Sequence, residues 1–297
     1  MTDLAVIILN YNTKKITLEC LGSIMDKQWE NKINVVVVDN ASSDGSVAAI
    51  RKKYPEIKII SSPENIGFSR GNNLGIKNEY KRSRYCLVLN SDTLVQDGAL
   101  DALVDAAEEG EYDIISCKLL NTDKSFQPNA GNLPTALPLF FWLSNLDGLF
   151  NFLPSYQERE KRYYSNNKEV GWVSGSVIMF NSKVFKRLGF FDEKIFMYAE
   201  DVDLCWRAKK KGLRVGWTDK AEIVHIGGAS LSGEPRYKQW LGEFGGLIYL
   251  YKKHYSNLAA GILKLLIYLF TGLRIIAFSM VGNKEYARTY AKIIRNI

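Results

Sequence analysis

The run Leu87-Val88-Leu89-Asn90-Ser91-Asp92 is a short apolar stretch that ends in a polar cluster closed by a carboxylate. A short apolar run bounded by polar residues is typical of a buried strand, and we predict one over residues 85–89. Asp92 would then follow the end of a strand, where its carboxylate is well placed to hold a metal ion on a diphosphate. The alternative for Asp92 is a turn residue, because aspartate is common in turns.

Apolar runs of the same kind occur on both sides of this segment. We predict strands over residues 4–9, 33–38 and 57–60, and helices over residues 17–25 and 46–53. Strands that alternate with helices in this way favour right-handed βαβ crossovers and a parallel sheet. The fold class predicted from the sequence is therefore α/β.

Polar clusters follow three of these strands. They are Asn10-Tyr11-Asn12, Asp39-Asn40-Ala41-Ser42 and Asn90-Ser91-Asp92. The carboxyl ends of parallel strands share one edge of a sheet, and ligands bind at that edge. The carboxylate of Asp39 has the chemistry to accept the N3–H of a uracil or thymine ring, although Asp39 also suits a turn. Together the clusters indicate a nucleotide site.

The segment Asn65-Ile66-Gly67-Phe68-Ser69-Arg70-Gly71-Asn72-Asn73-Leu74-Gly75 is rich in glycine and asparagine and leads into a helix. Its glycines would allow a ligand to approach the backbone closely, and Arg70 can pair with a phosphate. The alternative is a turn and a helix that pack tightly on the sheet.

A second acidic position opens the run Glu200-Asp201-Val202-Asp203-Leu204-Cys205-Trp206-Arg207, which predicts a helix over residues 200–211 closed by Gly212. Asp201 is the candidate general base, and the helix dipole with a nearby cation would keep it ionised at pH 7. Acidic residues are also favoured at helix starts for structural reasons, which applies to Asp203 as well. A metal-holding carboxylate and a separate base indicate group transfer from a nucleotide donor to an alcohol.

His225 is one of two histidines, and it follows the strand-like residues 221–224 and precedes a glycine-rich loop. A histidine there can ligate a metal or contact a diphosphate, although a lone histidine is more often structural. Residues 171–180 predict a further strand. Residues 127–167, rich in proline, asparagine and aromatic residues, predict a long loop or lid.

The composition limits the class of protein. A length of 297 residues suits one large domain or a domain with an appendage, and a formal net charge of +7 favours anionic partners such as nucleotides, phospholipid headgroups or nucleic acid. The four cysteines lie among apolar neighbours without a CxxC pair, which indicates buried free thiols in a reducing compartment. The first residues show no basic signal-peptide region, so we expect a cytoplasmic protein.

In their order and spacing, these clusters resemble family 2 of the inverting GT-A glycosyltransferases, in particular its rhamnosyltransferase-like branch. The resemblance covers residues 4–230. It is also carried by Val6-Ile7-Ile8-Leu9-Asn10-Tyr11-Asn12, Val37-Val38-Asp39-Asn40-Ala41-Ser42, Gly171-Trp172-Val173-Ser174-Gly175 and Phe190-Phe191-Asp192-Glu193. It implies a GT-A fold, that is, a Rossmann-like nucleotide-diphospho-sugar transferase fold, here with a C-terminal helical tail.

The resemblance also implies roles for the matching residues. The donor, dTDP-rhamnose or a UDP-sugar, would be bound by Asn10, Tyr11, Asp39, Asn65, Arg70 and Asn90. A Mg²⁺ or Mn²⁺ ion would be held by Asp92 and His225, and Asp201 would be the base. The acceptor, a hydroxyl of a glycan or lipid-linked glycan precursor, would be bordered by Trp172, Gly175 and Glu200.

One position departs from the family pattern. The Asp-x-Asp motif of the family is replaced by Asn90-Ser91-Asp92. Because an amide oxygen is a poorer cation ligand than a carboxylate, we expect a weaker dependence on metal. The implied reaction is a single in-line displacement that inverts the sugar configuration, with no covalent nucleophile.

Residues 257–297 form a distinct tail after a catalytic domain of residues 1–256. Residues 258–280 are strongly apolar, but Lys264 and Arg274 interrupt them and disfavour a lone bilayer span. Residues 284–297 are amphipathic and favour a helix on a membrane surface, with the protein peripheral on the inner face of the cell membrane. The alternative is a helical hairpin packed on the domain or on a second copy in a homodimer.

Two other functional classes fit parts of the pattern. A nucleotidyltransferase that makes sugar nucleotides would need a basic glycine-rich loop after the first strand, and Asn10-Tyr11-Asn12 is not one. A non-catalytic carbohydrate- or nucleic-acid-binding protein would explain the charge and the aromatic residues, but it would not require acidic residues at 92 and 201. We therefore expect no nucleic-acid partner.

Overall fold

A computed structural model describes residues 2–227 and 236–297 of the protein. Within these ranges, strands alternate with helices in the N-terminal half, as the apolar runs predict. The strands are β1 (Thr2–Asn10), β2 (Ile33–Asp39), β3 (Lys58–Ser61), β4 (Ser83–Asn90), β5 (Thr93–Val95), β6 (Ile114–Leu120), β7 (Phe126–Gln127), β8 (Ala130–Gly131), β9 (Lys168–Glu169), β10 (Trp172–Val173), β11 (Val177–Asn181) and β12 (Val215–His225). The helices are α1 (Lys14–Met25), α2 (Ser46–Lys53), α3 (Gly67–Glu79), α4 (Ala99–Glu109), α5 (Ala136–Ser144), α6 (Leu146–Leu149), α7 (Val184–Leu188), α8 (Glu200–Lys210), α9 (Arg236–His254), α10 (Asn257–Met280) and α11 (Lys284–Asn296).

The central sheet has the strand order β3-β2-β1-β4-β11-β6-β12-β5. β1 pairs in parallel with β2 and with β4, and β2 pairs in parallel with β3. The predicted parallel pairing is confirmed for β1 to β4. The sheet as a whole is mixed, because β11 runs antiparallel to both β4 and β6. A long excursion of the chain separates β6 from β11, so β11 enters the sheet from the opposite end.

Residues 171–180 do not form the single predicted strand. They form β10 and β11, and β10 pairs with β8 in a separate two-stranded sheet. Between them, the Gly175 N–H donates to the Asp201 carboxylate and the Ser174 N–H donates to the Asn129 carbonyl. Because both donors are used outside the central sheet, the strand ladder is interrupted here.

Residues 127–167 are not the continuous loop that their composition predicts. They contain β8, α5 and α6, and the α5 side chains Leu139, Trp142 and Leu143 are buried. These three residues recur at helical spacing. Pro138 lies in the first turn of α5, where a proline is compatible with a helix.

The chain divides into two compact units. The first comprises Met1–Leu133, Gln157–Phe196 and Asp201–Ser232. The second comprises Pro134–Tyr156, Met197–Glu200 and Gly233–Ile297. The division of the sequence into residues 1–256 and 257–297 stays a prediction.

In the first unit, α3 lies very close to the sheet. A Cβ atom built on Gly75 would lie 2.4 Å from Ile7 Cγ2 and 3.1 Å from Val38 Cγ2. Ile7 and Val38 are fully buried, so neither side chain can move aside cheaply. Glycine at position 75 therefore sets the distance between α3 and the sheet. The four cysteines of this unit are free and buried, as predicted.

In the second unit, α9, α10 and α11 pack against one another. The basic side of α11 is exposed, as the amphipathic pattern predicts, and consists of Lys284, Arg288, Lys292 and Arg295. Its apolar side is partly covered by α9 and α10, because Tyr290 and Ile293 are buried and the Tyr290 ring stacks on Phe278 at 5.8 Å. The position of α11 on a membrane surface stays a prediction.

We expect Gly75→Ala to lower the free energy of unfolding by about 1–3 kcal/mol, because the added methyl group overpacks a rigid core. Chemical denaturation of the purified variant measures this loss. The matched control is Gly261→Ala in α10, where nothing lies within 4 Å of a built Cβ atom. Since alanine favours the helix more than glycine does, the control should keep or raise stability. Equal stabilities of the two variants would contradict the close packing of α3.

Candidate functional site

The side-chain amide of Asn10 organises the end of β1. Its Nδ2 donates to Asp39 Oδ1 at 2.8 Å and to Ser42 Oγ at 2.9 Å. Its Oδ1 accepts from the hydroxyl groups of Thr13 at 3.0 Å and Thr17 at 2.8 Å. Two donors and two acceptor positions are the full capacity of an asparagine amide. The geometry therefore supports a positioning role for Asn10, and its direct contact with a nucleotide stays a prediction.

Asp39 lies at the end of β2, opposite Asn10 in the parallel register. Its Oδ1 accepts from Asn10, and its Oδ2 accepts from the Ser42 N–H at 3.1 Å. The carboxylate is thus fixed from two sides and almost completely buried. Such a preorganised acceptor suits the N–H edge of a pyrimidine ring. Tyr11 is exposed at the same strand end.

Asn65 and Asn40 fix the start of α3. Asn65 Oδ1 accepts from Asn40 Nδ2 at 2.8 Å and from the Gly67 N–H at 3.0 Å. Gly67 has a φ of +83°, and a Cβ atom built on it would lie 2.6 Å from the Phe196 ring. The glycine-rich segment therefore makes a close backbone approach, here to Phe196.

Arg70 is exposed on α3. Its Nε donates to the carbonyl of Glu193 at 3.3 Å. This contact uses one of the five N–H donors of the guanidinium group, and the remaining donors can pair with a phosphate.

Asn90, Asp92 and His225 converge beyond the end of β4. His225 Nε2 lies 3.3 Å from Asp92 Oδ1 and 3.4 Å from Asn90 Nδ2. The fold thus brings together the two residues predicted as metal ligands, and their role stays a prediction. Of the glycine-rich loop expected after His225, residues 228–230 lie outside the described residues.

Gln127 fixes the orientation of the His225 ring. Its Nε2 donates to Asn121 Oδ1 at 2.9 Å, and its Oε1 lies 2.7 Å from His225 Nδ1. Because Oε1 is an acceptor, the proton belongs on Nδ1, and the Nε2 lone pair then faces the Asp92 side. Gln127 could not be predicted from the sequence, since it lies 98 residues before His225 and no local motif marks it.

These atoms fit a divalent cation that also binds phosphate. Adjacent ligands of an octahedral Mg²⁺, each at about 2.1 Å, lie about 3 Å apart, close to the 3.3 Å between His225 Nε2 and Asp92 Oδ1. Across residues 2–227 and 236–297, no group of three or more His, Cys, Asp or Glu side chains is arranged to hold a metal. A cation here would take its remaining ligands from a diphosphate and water, as Mg²⁺ commonly does.

Asp201 lies in the first turn of α8 and accepts two backbone hydrogen bonds. The Gly175 N–H donates to Oδ2 at 2.8 Å, and the Val202 N–H donates to Oδ1 at 2.7 Å. Ser176, next to Gly175, accepts through its carbonyl a hydrogen bond of 2.9 Å from the Asn90 N–H. Asp201 is thereby tied to the strand end that carries Asp92.

Burial raises the pKa of the Asp201 carboxyl above the ordinary value of aspartic acid, and the N–H groups of Gly175 and Val202 oppose this effect. Desolvation is the largest influence on this pKa, and it acts against the effect predicted for the helix dipole and a nearby cation. A carboxylate with a raised pKa is a stronger base, which suits the removal of a proton from a hydroxyl group.

Trp172, Gly175 and Glu200 are predicted to border the acceptor. Trp172 is in β10, and Gly175 follows it in the turn before β11. A Cβ atom built on Gly175 would lie 3.2 Å from the Phe68 ring and 3.6 Å from Asp201 Oδ2, so Gly175 lies against the candidate base. Glu200 is buried and belongs to the second unit. The contacts of all three with an acceptor stay predictions.

The hydroxyl residues that hold Asn10 are not among the residues predicted from the sequence. Thr13 and Thr17 are four residues apart, so they share a face of the first helix turn, and this signal is readable once Asn10 ends a strand. The Thr13 hydroxyl also lies 3.3 Å from Ser91 Oγ, which links the ends of β1 and β4. This second contact depends on the tertiary fold and has no sequence signal.

Comparison with known proteins identifies the family. The sequence model described as Glycosyl transferase family 2 matches residues 5–189, more than half of the chain. An N-acetylglucosaminyl-diphospho-decaprenol L-rhamnosyltransferase of Mycobacterium tuberculosis is 27% identical over 252 residues, which cover 79% of this chain and 80% of the relative. The low-salt glycan biosynthesis hexosyltransferase Agl10 of Haloferax volcanii is 29% identical over 230 residues, which cover 76% of this chain and 67% of the relative.

A solved structure shares the fold. The mannosyltransferase PcManGT from Pyrobaculum calidifontis, in complex with GDP-Man and Mn²⁺, matches with a TM-score of 0.56 and 17% identity over 99% of this chain and 76% of its own. This likeness confirms the predicted GT-A fold with C-terminal helices. Because the family match spans most of the first unit and the fold agrees with it, the chain belongs to glycosyltransferase family 2 and is a glycosyltransferase.

Proposed function

We propose that this glycosyltransferase moves a sugar, with rhamnose as the leading candidate, from a nucleoside-diphosphate donor to a hydroxyl of a lipid-linked glycan precursor. The observation that carries the proposal is the link from Asp201 through Gly175 and Ser176 to Asn90. This link places a desolvated carboxylate next to the strand end that holds the candidate cation ligands. A base beside a diphosphate site is what an inverting transfer to an alcohol requires.

The base step follows from the setting of Asp201. Ionised Asp201 takes the proton of the acceptor hydroxyl while that oxygen attacks the anomeric carbon. The bond from that carbon to the donor diphosphate breaks in the same displacement, so the configuration inverts. The two backbone N–H groups hold the carboxylate in one orientation, which supports in-line attack.

The donor half of the site rests on the sheet edge. Asp39 would accept the ring N–H of uracil or thymine, and Arg70 would pair with the diphosphate. Asp92 and the Nε2 atom of His225 would hold Mg²⁺ or Mn²⁺ there, with Asn90 beside them. When bound, the cation neutralises negative charge on the departing nucleoside diphosphate.

The acceptor proposal is supported by the relative from Mycobacterium tuberculosis, whose name specifies L-rhamnose and a decaprenol-linked N-acetylglucosamine. A polyprenyl-linked acceptor is confined to a membrane. We therefore infer a protein that works from the cytoplasm at the inner face of the cell membrane, with Trp172, Gly175 and Glu200 near the acceptor.

The first test is transfer itself. With dTDP-rhamnose and a polyprenyl-diphosphate-linked N-acetylglucosamine, the wild-type protein should form a rhamnosylated lipid, and UDP-sugars should give less product. Asp201→Asn should reduce the rate by at least ~10²-fold while donor binding, followed by thermal shift, changes little. Asn cannot accept a proton from the hydroxyl, but it keeps the size of the side chain.

The matched control for this test is Asp105→Asn, which changes an exposed aspartate of the first unit and should leave turnover unchanged. Near-wild-type turnover of folded Asp201→Asn would remove Asp201 from the base role. Release of pyrophosphate from a nucleoside triphosphate and a sugar phosphate would instead indicate a nucleotidyltransferase.

We expect Asp92→Ala and removal of divalent cations to weaken nucleoside-diphosphate binding in the same direction, because both abolish cation-mediated contact with the diphosphate. Isothermal calorimetry with dTDP and UDP, with and without Mn²⁺ or Mg²⁺, measures the effect. Gln127→Ala should weaken the metal-dependent part of binding less than Asp92→Ala, since it only frees the His225 ring. Identical affinities with and without cation would show that the donor binds without a metal.

The raised pKa of Asp201 predicts the acid limb of the pH profile. The ionised form is the active base, so kcat/KM should fall as the pH drops through this pKa, with a midpoint above the ~3.9 of an exposed aspartate. The residual rate of Asp201→Asn should lack this limb, and circular dichroism should show folded protein throughout. If Asp201→Asn showed the same fall of kcat/KM at low pH, the titrating group would be a residue other than Asp201.

A further inference from the structure

α10 carries a continuous row of exposed apolar side chains. The row follows the spacing of one helix face and consists of Leu258, Ile262, Leu265, Leu269, Leu273, Ile276 and Met280. Each is at least half exposed, with relative exposures from 51% to 82%. At 1.5 Å per residue the row is about 33 Å long. A row of this size needs a partner, because so large an apolar surface is normally covered.

The opposite side of α10 is fixed inside the second unit. Leu263 and Ile267 are buried there. The two cations of the helix also point to this side, where Lys264 Nζ donates to the Ile297 carbonyl at 2.8 Å and Arg274 donates to the Leu143 carbonyl at 2.7 Å. By length and composition α10 is able to cross a bilayer. Its inner side is nevertheless occupied by protein, so one side alone is available to lipid.

The charge of the protein is concentrated in the same region. Residues 236–297 contain ten lysines and arginines and two glutamates, a difference of +8, whereas the whole chain carries +7. Residues 1–235 therefore carry a net charge of −1. The exposed basic side of α11 contributes four of these cations. An apolar row within so basic a unit suits an anionic surface, because cations close to such a surface are attracted to it.

We propose that α10 lies in the plane of an anionic lipid surface and inserts the row Leu258 to Met280 at the boundary between headgroups and acyl chains. This is the geometry of an interfacial helix, which has one apolar and one polar or protein-covered side. A second copy of the chain is the less suitable occupant, because pairing would bring two units of +8 together. The proposal concerns binding alone and holds whichever sugar is transferred.

Co-sedimentation of the full-length protein with vesicles tests this surface. Wild-type protein should bind vesicles that contain phosphatidylglycerol and bind pure phosphatidylcholine more weakly. Replacing Leu265, Leu269 and Leu273 with Gln should weaken binding to the anionic vesicles by at least about tenfold, because three inserted side chains become polar. These side chains are exposed, so the fold should persist, and circular dichroism and dTDP binding check this.

The matched control introduces three Gln residues on the same helix without removing a row residue. Gly261, Ala277 and Ser279 are exposed, and Gly261→Gln, Ala277→Gln and Ser279→Gln together should keep wild-type binding. Wild-type affinity of the folded leucine variant, or no vesicle binding by the wild-type protein, would overturn the proposal. The proposal would also be overturned if the wild-type protein were a dimer and the leucine variant a monomer with unchanged vesicle binding. The row would then be a contact between two copies of the chain.

The vesicle assay needs no sugar nucleotide, so a failure to bind vesicles would not contradict the proposed sugar transfer. Likewise, a failure of sugar transfer would not contradict vesicle binding by α10.

Discussion

The donor side of the site depends on the hydrogen bonds of the Asn10 side-chain amide, in which all donor and acceptor positions are used. One side chain joins the end of β1 to the β2 end at Asp39, to the following loop at Ser42 and to the first turn of α1. Buried amides that lose a partner are costly, so each of these contacts supports the others. Loss of the Asn10 amide would leave Asp39 held by the Ser42 N–H alone. The pyrimidine recognition proposed for Asp39 therefore rests on residues that never contact the ligand.

The candidate base, Asp201, is held by backbone N–H groups and not by side chains. Asp201 is desolvated, which raises its pKa, and two backbone N–H groups partly offset that effect. Backbone donors have little freedom to rotate, so they hold the carboxylate in one orientation. The same turn that supplies the Gly175 N–H also bonds to the Asn90 N–H through the Ser176 carbonyl. A shift of this turn would thus disturb the base and the end of β4 together.

The second unit separates its polar and apolar surfaces in an unusual way. α11 exposes its basic side and buries Tyr290 and Ile293. α10 buries Leu263 and Ile267, exposes a second apolar side, and keeps its two cations bonded to the carbonyls of Ile297 and Leu143. A chain that only needed a stable helical hairpin would gain by exposing Lys264 and Arg274 and burying the leucines. The observed arrangement gives up that stabilisation, and an external apolar partner is the physical reason we infer for it.

The sequence by itself determined the strands β1 to β4, the helices between them and the polar clusters at the strand ends, because apolar periodicity and turn chemistry are local properties. It also singled out Asp92, His225 and Asp201, since each follows or begins a recognisable element. Only the tertiary structure decided that β11 runs antiparallel, because strand direction depends on where a long excursion returns. The roles of Gln127 and Gly175 likewise come from contacts between residues far apart in the chain. Only the tertiary structure shows which side of α10 is exposed. The apolar pattern of a sequence does not distinguish a helix face covered by protein from a face that is exposed.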